Sequence, residues 1–101
     1  MKRILLVCAA GMSTSLLVTK MQKSAQEQGV EVFIEALSEA AAKDKIGNYN
    51  VVLLGPQVRF MEGKIKELAK PYNIPVAVIN MMHYGMMNGK EVLAQALGLM
   101  G

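Results

Sequence analysis

The sequence predicts an α/β fold of three layers, in which a four-stranded parallel sheet of strand order 2-1-3-4 is flanked by helices. Short apolar runs alternate with longer amphipathic segments along the whole chain, a pattern typical of right-handed β-α-β crossovers. Three of the runs are apolar at nearly every position, as strands buried on both faces are. A length of 101 residues suits a single domain spanning residues 1–101.

Four segments have the composition of strands. They are residues 3–7, 30–37, 51–54 and 74–79. The second contains Glu31 and Glu35 among its apolar residues. Because charged side chains are poorly tolerated in the centre of a parallel sheet, this segment is predicted to be an edge strand.

Helices are predicted over residues 15–28, 39–45, 57–70 and 89–97. Gly29 and Pro71 follow two of them as stop signals, and Ser38 and Asn88 precede the other two as N-caps. The residues expected to face the core are Leu17, Met21, Ala25 and Gln28 in the first helix, Met61, Ile65, Leu68 and Ala69 in the third, and Val92, Leu93, Ala96 and Leu97 in the last.

The composition argues against several classes of protein. The net charge of +3 comes from dispersed lysines and the chain has no Trp, which disfavours nucleic-acid binding. One cysteine (Cys8) and one histidine (His83) predict neither an internal disulfide nor a metal site, and no cofactor is expected. The longest apolar run, residues 4–12, is too short to span a membrane, and no signal peptide is evident. A cytoplasmic location is expected.

The most informative residue is Cys8, which ends the first predicted strand. Seven residues that are mostly small or hydroxylic follow it: Ala9, Ala10, Gly11, Met12, Ser13, Thr14 and Ser15. Ligands of open parallel sheets bind beyond the carboxyl ends of the strands, where the strand order reverses. Backbone N–H groups of such a loop and the start of a helix bind tetrahedral anions. They would also favour the thiolate form of Cys8.

A structural role is the alternative for Cys8, since free cysteines are often buried. Core packing does not require Gly11 and three hydroxylic residues after a cysteine, whereas anion binding does. One of Ser13, Thr14 and Ser15 is expected to cap the first helix. The composition therefore favours a phosphate-binding site with Cys8 as its nucleophile.

The spacing around Cys8 resembles the phosphate-binding loop of low-molecular-weight tyrosine phosphatases, Cys-x5-Arg-Ser. Thr14 occupies the position of the arginine, and Ser15 follows it. The only aspartate, Asp44, falls in the second predicted helix and not in a later loop where a general acid would be needed. The resemblance implies a site that can hold phosphate on sulfur but hydrolyses phosphotyrosine poorly.

The whole chain resembles the enzyme IIB components of the phosphoenolpyruvate-dependent sugar phosphotransferase system, in the lactose/cellobiose/chitobiose group. The similarity lies in residues 8–17, in residues 51–58, and in Tyr84-Gly85 with Asn88-Gly89. It implies that Cys8 accepts a phosphoryl group from a phosphohistidine of the IIA partner, with residues 9–15 as its cradle. It also implies that the group passes to a sugar, such as cellobiose or chitobiose, held by the membrane-embedded IIC partner.

The loops after the third and fourth strands are expected to flank Cys8. Gln57 and Tyr84 are candidate flanking residues. Arg59 is expected to be solvated, with a phosphate contact as the alternative, and His83 is expected to be solvated, with a role as phosphoacceptor as the alternative. Four of the nine methionines, at 81, 82, 86 and 87, lie in the second loop. Some are predicted to close the core and the others to contact IIA and IIC.

Two alternatives to a phosphoryl carrier stay open. One is a small cysteine-dependent phosphatase that uses the same loop, and the other is a regulatory module that only senses phosphate. The sequence does not identify the sugar.

Overall fold

The computed structural model describes residues 1–8 and 11–100, and the side chains of residues 11–13 are not among those described. Its sheet contains four strands: β1 (Lys2–Cys8), β2 (Val32–Ser38), β3 (Val51–Leu54) and β4 (Val76–Val78). All neighbouring pairs are parallel and the order is β2-β1-β3-β4. The predicted topology is confirmed, as is the edge position of the second strand.

In the described residues, five α-helices connect or follow the strands. They are α1 (Gly11–Gln28), α2 (Glu39–Ala42), α3 (Glu62–Ala69), α4 (Met81–Gly85) and α5 (Gly89–Met100). Three 3₁₀ segments, Ile46–Asn48, Pro56–Met61 and Lys70–Tyr72, complete the connections. Among the described residues, no helix combines the length and the apolar character needed to cross a membrane.

The sheet separates two buried clusters, which makes the domain three-layered. Ile4 and Leu6 of β1 pack with α1 and α5, whereas Leu5 and Val7 pack with α2, α3 and the first two 3₁₀ segments. Because alternate side chains of a strand point to opposite faces, an unbroken apolar run such as β1 fills both layers. The predicted core faces of the helices are buried or half-buried, with one exception: Gln28 is exposed, and its amide donates to Ser24.

The predicted helix ends agree with the structure at three positions. The Ser38 hydroxyl accepts a hydrogen bond from Ala41 N, and the Asn88 side chain accepts one from Glu91 N. Gly29 follows α1 with a φ of +69°, a conformation that suits glycine at a helix C-terminus.

The predicted helices 39–45 and 57–70 are wrong in extent. Helix α2 ends at Ala42, and a turn and a 3₁₀ segment then bury Ile46. The first part of segment 57–70 is 3₁₀, and Val58 leaves helical geometry (φ −117°, ψ 22°) while its side chain is buried. In both places the burial of one branched side chain outweighs the local preference for an α-helix.

An aromatic cluster joins the edge strand β2 to the start of β3. The Arg3 guanidinium lies 4.5 Å from the centre of the Phe33 ring and 5.2 Å from that of Tyr49. The buried Tyr49 hydroxyl donates a hydrogen bond to the Glu35 carboxylate. Burial, followed by the Glu35 hydrogen bond and charge, raises the pKa of Tyr49 to about 12.

We expect this cluster to make the free energy of unfolding depend on pH in alkaline solution. An unfolded tyrosine ionises near pH 10, so the stabilisation from neutral Tyr49 is complete below pH 10 and is lost as the pH rises through about 12. Denaturant titrations from pH 9 to 12 should show a smaller decline for Tyr49→Phe than for the wild type. Tyr72→Phe, at an exposed tyrosine, is the matched control and should decline like the wild type. Equal declines in all three proteins would contradict this prediction.

Candidate functional site

Cys8 is the last residue of β1 and is paired in register with Ser38, the last residue of β2. From β1 the chain crosses to one side of the sheet to form β2, and β3 then lies on the other side of β1. Cys8 thus stands at the carboxyl edge of the sheet beside the reversal of strand order, where the sequence predicts a ligand site.

The Cys8 residue is 2% exposed, and its thiol donates a long hydrogen bond to the Leu37 carbonyl, with a sulfur–oxygen distance of 3.8 Å. It is not sealed within the core, because it forms part of the wall of a surface cavity of about 300 Å³. The other residues of the wall are Ser38, Glu39, Ala40, Val58, Phe60 and Met61. The cavity therefore brings solvent up to a wall that includes Cys8 on this side of the sheet edge.

Helix α1 begins at Gly11, four residues earlier than predicted. Ser13, Thr14 and Ser15 consequently lie inside the helix, and the prediction that one of them caps it is wrong. The first four N–H groups of a helix have no partner within it and carry its partial positive charge. The predicted cradle at Ala9 and Ala10 lies outside the described residues, and so do the side chains of residues 11–13.

Thr14, Gln57 and Tyr84 come together next to the start of α1. Thr14 is 1% exposed, and its hydroxyl oxygen lies 3.5 Å from that of Tyr84 in α4. The Gln57 side-chain amide donates to the Tyr84 hydroxyl at 2.9 Å. Gln57 and Tyr84 were expected to flank the Cys8 loop. The structure places Tyr84 in contact with Thr14, one of the predicted loop residues, and Gln57 in contact with Tyr84.

The charged residues around the cavity are few. The Glu39 carboxylate, in its wall, pairs with the Lys64 ammonium at 3.0 Å. Arg59 is exposed, as predicted. The only aspartate, Asp44, is exposed in the turn after α2 and is not part of the cavity wall.

His83 belongs to a different cavity, of about 370 Å³, that it forms with Asn80, Glu91, Ala94 and Gln95. It is half-buried in α4 rather than solvated in a loop as expected. Among the described residues no group of three His, Cys, Asp or Glu side chains could hold a metal ion.

The methionines of the second loop divide as the sequence suggests. Met81, Met82 and Met86 are exposed, whereas Met87 is half-buried and packs against the core. Phe60, beside the Cys8 cavity, is 80% exposed. The role of these exposed side chains as contacts for partner proteins stays a prediction.

Sequence reasoning missed three contributors to this edge of the sheet. Ser38 could have been found, because parallel pairing of the first two predicted strands brings their ends together. Glu39 could have been found in the same way, because it is the next residue after Ser38 in the sequence. No sequence signal indicates that Phe60 lies beside the cavity. Helix α4 was also missed, although Asn80 caps it by accepting hydrogen bonds from the backbone N–H groups of Met82 and His83.

The fold and the site together define a class: a three-layer α/β domain with a cysteine at the carboxyl end of its first strand, just before a helix. Residues 3–95 match the family described as "PTS system, Lactose/Cellobiose specific IIB subunit". The chain belongs to this family and is a IIB component of a sugar phosphotransferase system.

Individual relatives agree with this assignment. An oligo-beta-mannoside-specific EIIB component of Bacillus subtilis (strain 168) is 50% identical, with 99% of this chain and 97% of that protein covered. A galactose-specific EIIB component of Lactococcus lactis subsp. cremoris (strain MG1363) is 49% identical, covering 98% and 96%. The solution structure of a cellobiose-specific IIB component from Borrelia burgdorferi is 42% identical, with a TM-score of 0.81 over 98% of this chain and 91% of that one.

Proposed function

We propose that this chain is a phosphoryl carrier that takes a phosphoryl group from a phosphohistidine of a IIA protein onto Cys8 and delivers it to a sugar held by a membrane-embedded IIC protein. The observation that carries the proposal is the position of Cys8 at the carboxyl end of β1, just before α1 and beside an open cavity. No metal or cofactor takes part. The chain would work in the cytoplasm, at the inner face of the membrane when it engages IIC.

Both transfers are displacements at phosphorus. In the first, the Cys8 sulfur attacks phosphorus, the P–S bond forms as the P–N bond breaks, and the departing imidazole takes up the proton that the thiol gives up. In the second, a sugar hydroxyl attacks phosphorus, the P–S bond breaks, and the hydroxyl proton is returned to the sulfur. Such reactions are accelerated mainly by positioning and by stabilisation of the phosphoryl charge.

The N-terminus of α1 supplies that stabilisation. Its first N–H groups have no acceptor within the helix, and the helix dipole places partial positive charge at the same end. Within the proposal, residues 9–15 bind the phosphoryl oxygens through backbone N–H groups and hydroxyls. The N–H groups of residues 11–14 would come from the first turn of α1 rather than from a loop.

The surroundings of Cys8 favour storage of phosphate over its hydrolysis. A phosphatase needs a free acid beside the leaving group, but Asp44 is not part of the cavity wall and the Glu39 carboxylate is paired with Lys64. Neither Asp44 nor Glu39 is therefore placed to protonate a leaving group, which argues against the phosphatase alternative.

The sugar is proposed to be a β-linked disaccharide such as cellobiose or chitobiose. The relatives named above are specific for different sugars: oligo-beta-mannosides, galactose and cellobiose. Their sequence identities to this chain are nevertheless comparable. Similarity in the IIB component thus does not separate the sugars, and we place most of the sugar specificity in IIC.

Mass spectrometry tests the proposal directly. After incubation with phosphorylated IIA, the intact chain is expected to gain one phosphate, and fragmentation is expected to place it on Cys8. An aryl phosphate assayed in parallel should show little multiple turnover. Rapid turnover of the aryl phosphate would favour the phosphatase alternative. A chain that gains no phosphate from phosphorylated IIA would overturn the proposed carrier function.

A further inference from the structure

Three polar side chains from three different elements form a hydrogen-bonded line that ends at the start of α1. Gln57 lies in the 3₁₀ segment after β3, Tyr84 in α4, and Thr14 in α1. Gln57 is exposed, Tyr84 is half-buried and Thr14 is 1% exposed, so the line runs from the surface inward. Thr14, at its inner end, is six residues after Cys8 in the sequence.

The chemistry of the donors gives this line a direction. The Gln57 amide nitrogen can only donate, so the Tyr84 oxygen accepts its hydrogen bond at 2.9 Å. The Tyr84 proton is then free to point to a second partner, and the Thr14 oxygen lies 3.5 Å away. A Thr14 hydroxyl that accepts from Tyr84 keeps its own proton for a third group.

We propose that Gln57 and Tyr84 are positioning residues that turn the Thr14 hydroxyl proton toward the phosphoryl group on Cys8. This inference rests on the proposed function. A threonine hydroxyl rotates freely and can point its proton in several directions. Accepting from Tyr84 directs that proton away from α4, where it can donate to an anionic oxygen. Hydrogen bonds to ionised acceptors are about twice as strong as neutral ones.

The backbone around Gln57 leaves room for this arrangement. Gly55 has an ordinary φ of −61°, so glycine is not needed there for its backbone conformation. A Cβ at Gly55, however, would lie 2.5 Å from the Gln57 side-chain oxygen. The absent side chain at position 55 thus provides the space in which the Gln57 amide reaches Tyr84.

Helix α4 is held in place independently of these contacts. The Gln95 side chain of α5 accepts from Asn80 N at 3.3 Å and donates to the Val78 carbonyl at 2.9 Å. The Tyr84 ring also packs against the apolar cluster between the sheet and α5. Removing only the Tyr84 hydroxyl should therefore leave α4 and its ring where they are.

A double-mutant cycle tests whether Tyr84 acts through Thr14. We expect Tyr84→Phe to lower the maximal rate of Cys8 phosphorylation by phosphorylated IIA about ten-fold, with an unchanged KM for IIA. Thr14→Val should lower the rate at least as much. In the Thr14→Val background, Tyr84→Phe should have no further effect, because the hydroxyl that it orients is already gone.

Two further variants and a spectroscopic signal exclude a merely structural effect. Gly55→Ala keeps all three polar residues but displaces the Gln57 amide, and it is expected to reproduce part of the Tyr84→Phe loss with an unchanged Tm. Tyr72→Phe is the matched control and should transfer phosphate like the wild type. The ³¹P resonance of phosphorylated Cys8 should shift in Tyr84→Phe and not in Tyr72→Phe.

The outcomes separate the two proposals. If the wild type takes up phosphate on Cys8 and Tyr84→Phe matches its rate and ³¹P shift, the positioning role is wrong and the carrier function stands. Independent, multiplicative losses from Thr14→Val and Tyr84→Phe would also overturn the positioning role. If the wild type takes up no phosphate, both proposals fail together.

Discussion

Replacing Cys8 by serine is expected to abolish sugar phosphorylation in a system reconstituted with IIA, IIC and the sugar. A serine hydroxyl is similar enough in size to keep the strand end intact, but its oxygen is a far weaker nucleophile than a cysteine sulfur. The loss should reach roughly three orders of magnitude or more, as is usual when the attacking atom of a group-transfer site is removed.

The matched control for this substitution is Ala40→Ser. Ala40 forms part of the same cavity wall as Cys8, so the variant also places a hydroxyl in the cavity while it keeps the sulfur. It should transfer phosphate at close to the wild-type rate, and both variants should retain the wild-type Tm. Wild-type sugar phosphorylation by Cys8→Ser would show that Cys8 is not the phosphoryl acceptor and would leave a sensing or structural role for this residue.

The sheet could be predicted from sequence because its strands carry a strong local signal. The apolar runs of β1 and β3 have no polar residue to turn toward solvent, which requires a layer on each face. The position of Cys8 follows from the same pattern. In a sheet of strand order 2-1-3-4, the carboxyl end of the first strand lies where the strand order reverses. Burial on two faces thus identifies these strands from a single sequence, although the predicted segments 30–37 and 74–79 differ in their ends from β2 and β4.

The helices and the surroundings of the site could be predicted only in part. Segment 57–70 has helical periodicity, but burying Val58 under the sheet distorts its first part into a 3₁₀ segment. Helix α4 has five residues, too few to show a period, and depends on Asn80 and Gln95 for its start. The contacts among Thr14, Gln57 and Tyr84 join positions up to 70 residues apart, and they arise only when the elements pack.

The contact between α1 and α5 gives the second large expected effect, on stability. Gly89 is the first residue of α5 and is buried against α1. A Cβ at this position would lie 2.5 Å from the carbonyl carbon of Lys20 and 2.7 Å from the Met21 nitrogen. Both atoms belong to the backbone of a helix, which cannot move aside as a flexible side chain can.

Gly89→Ala is therefore expected to lower the free energy of unfolding by about 2–3 kcal/mol, within the range for overpacked sites. For a domain of this size the Tm should fall by roughly 10–20 °C. Denaturant titration and thermal melting measure the two quantities. The substitution leaves Cys8 and the residues around it unchanged, so at a temperature where the variant is folded it should still accept phosphate.

Gly98→Ala is the matched control, because it makes the same substitution in the same helix. Position 98 is exposed, and a Cβ there would meet no atom within 4 Å. Alanine favours a helix over glycine by up to about 1 kcal/mol, so this variant should be slightly more stable than the wild type. Opposite signs for the two variants would assign the loss at Gly89 to the close approach of α1. A small stabilisation in both would mean that the two helices lie farther apart than the structure places them.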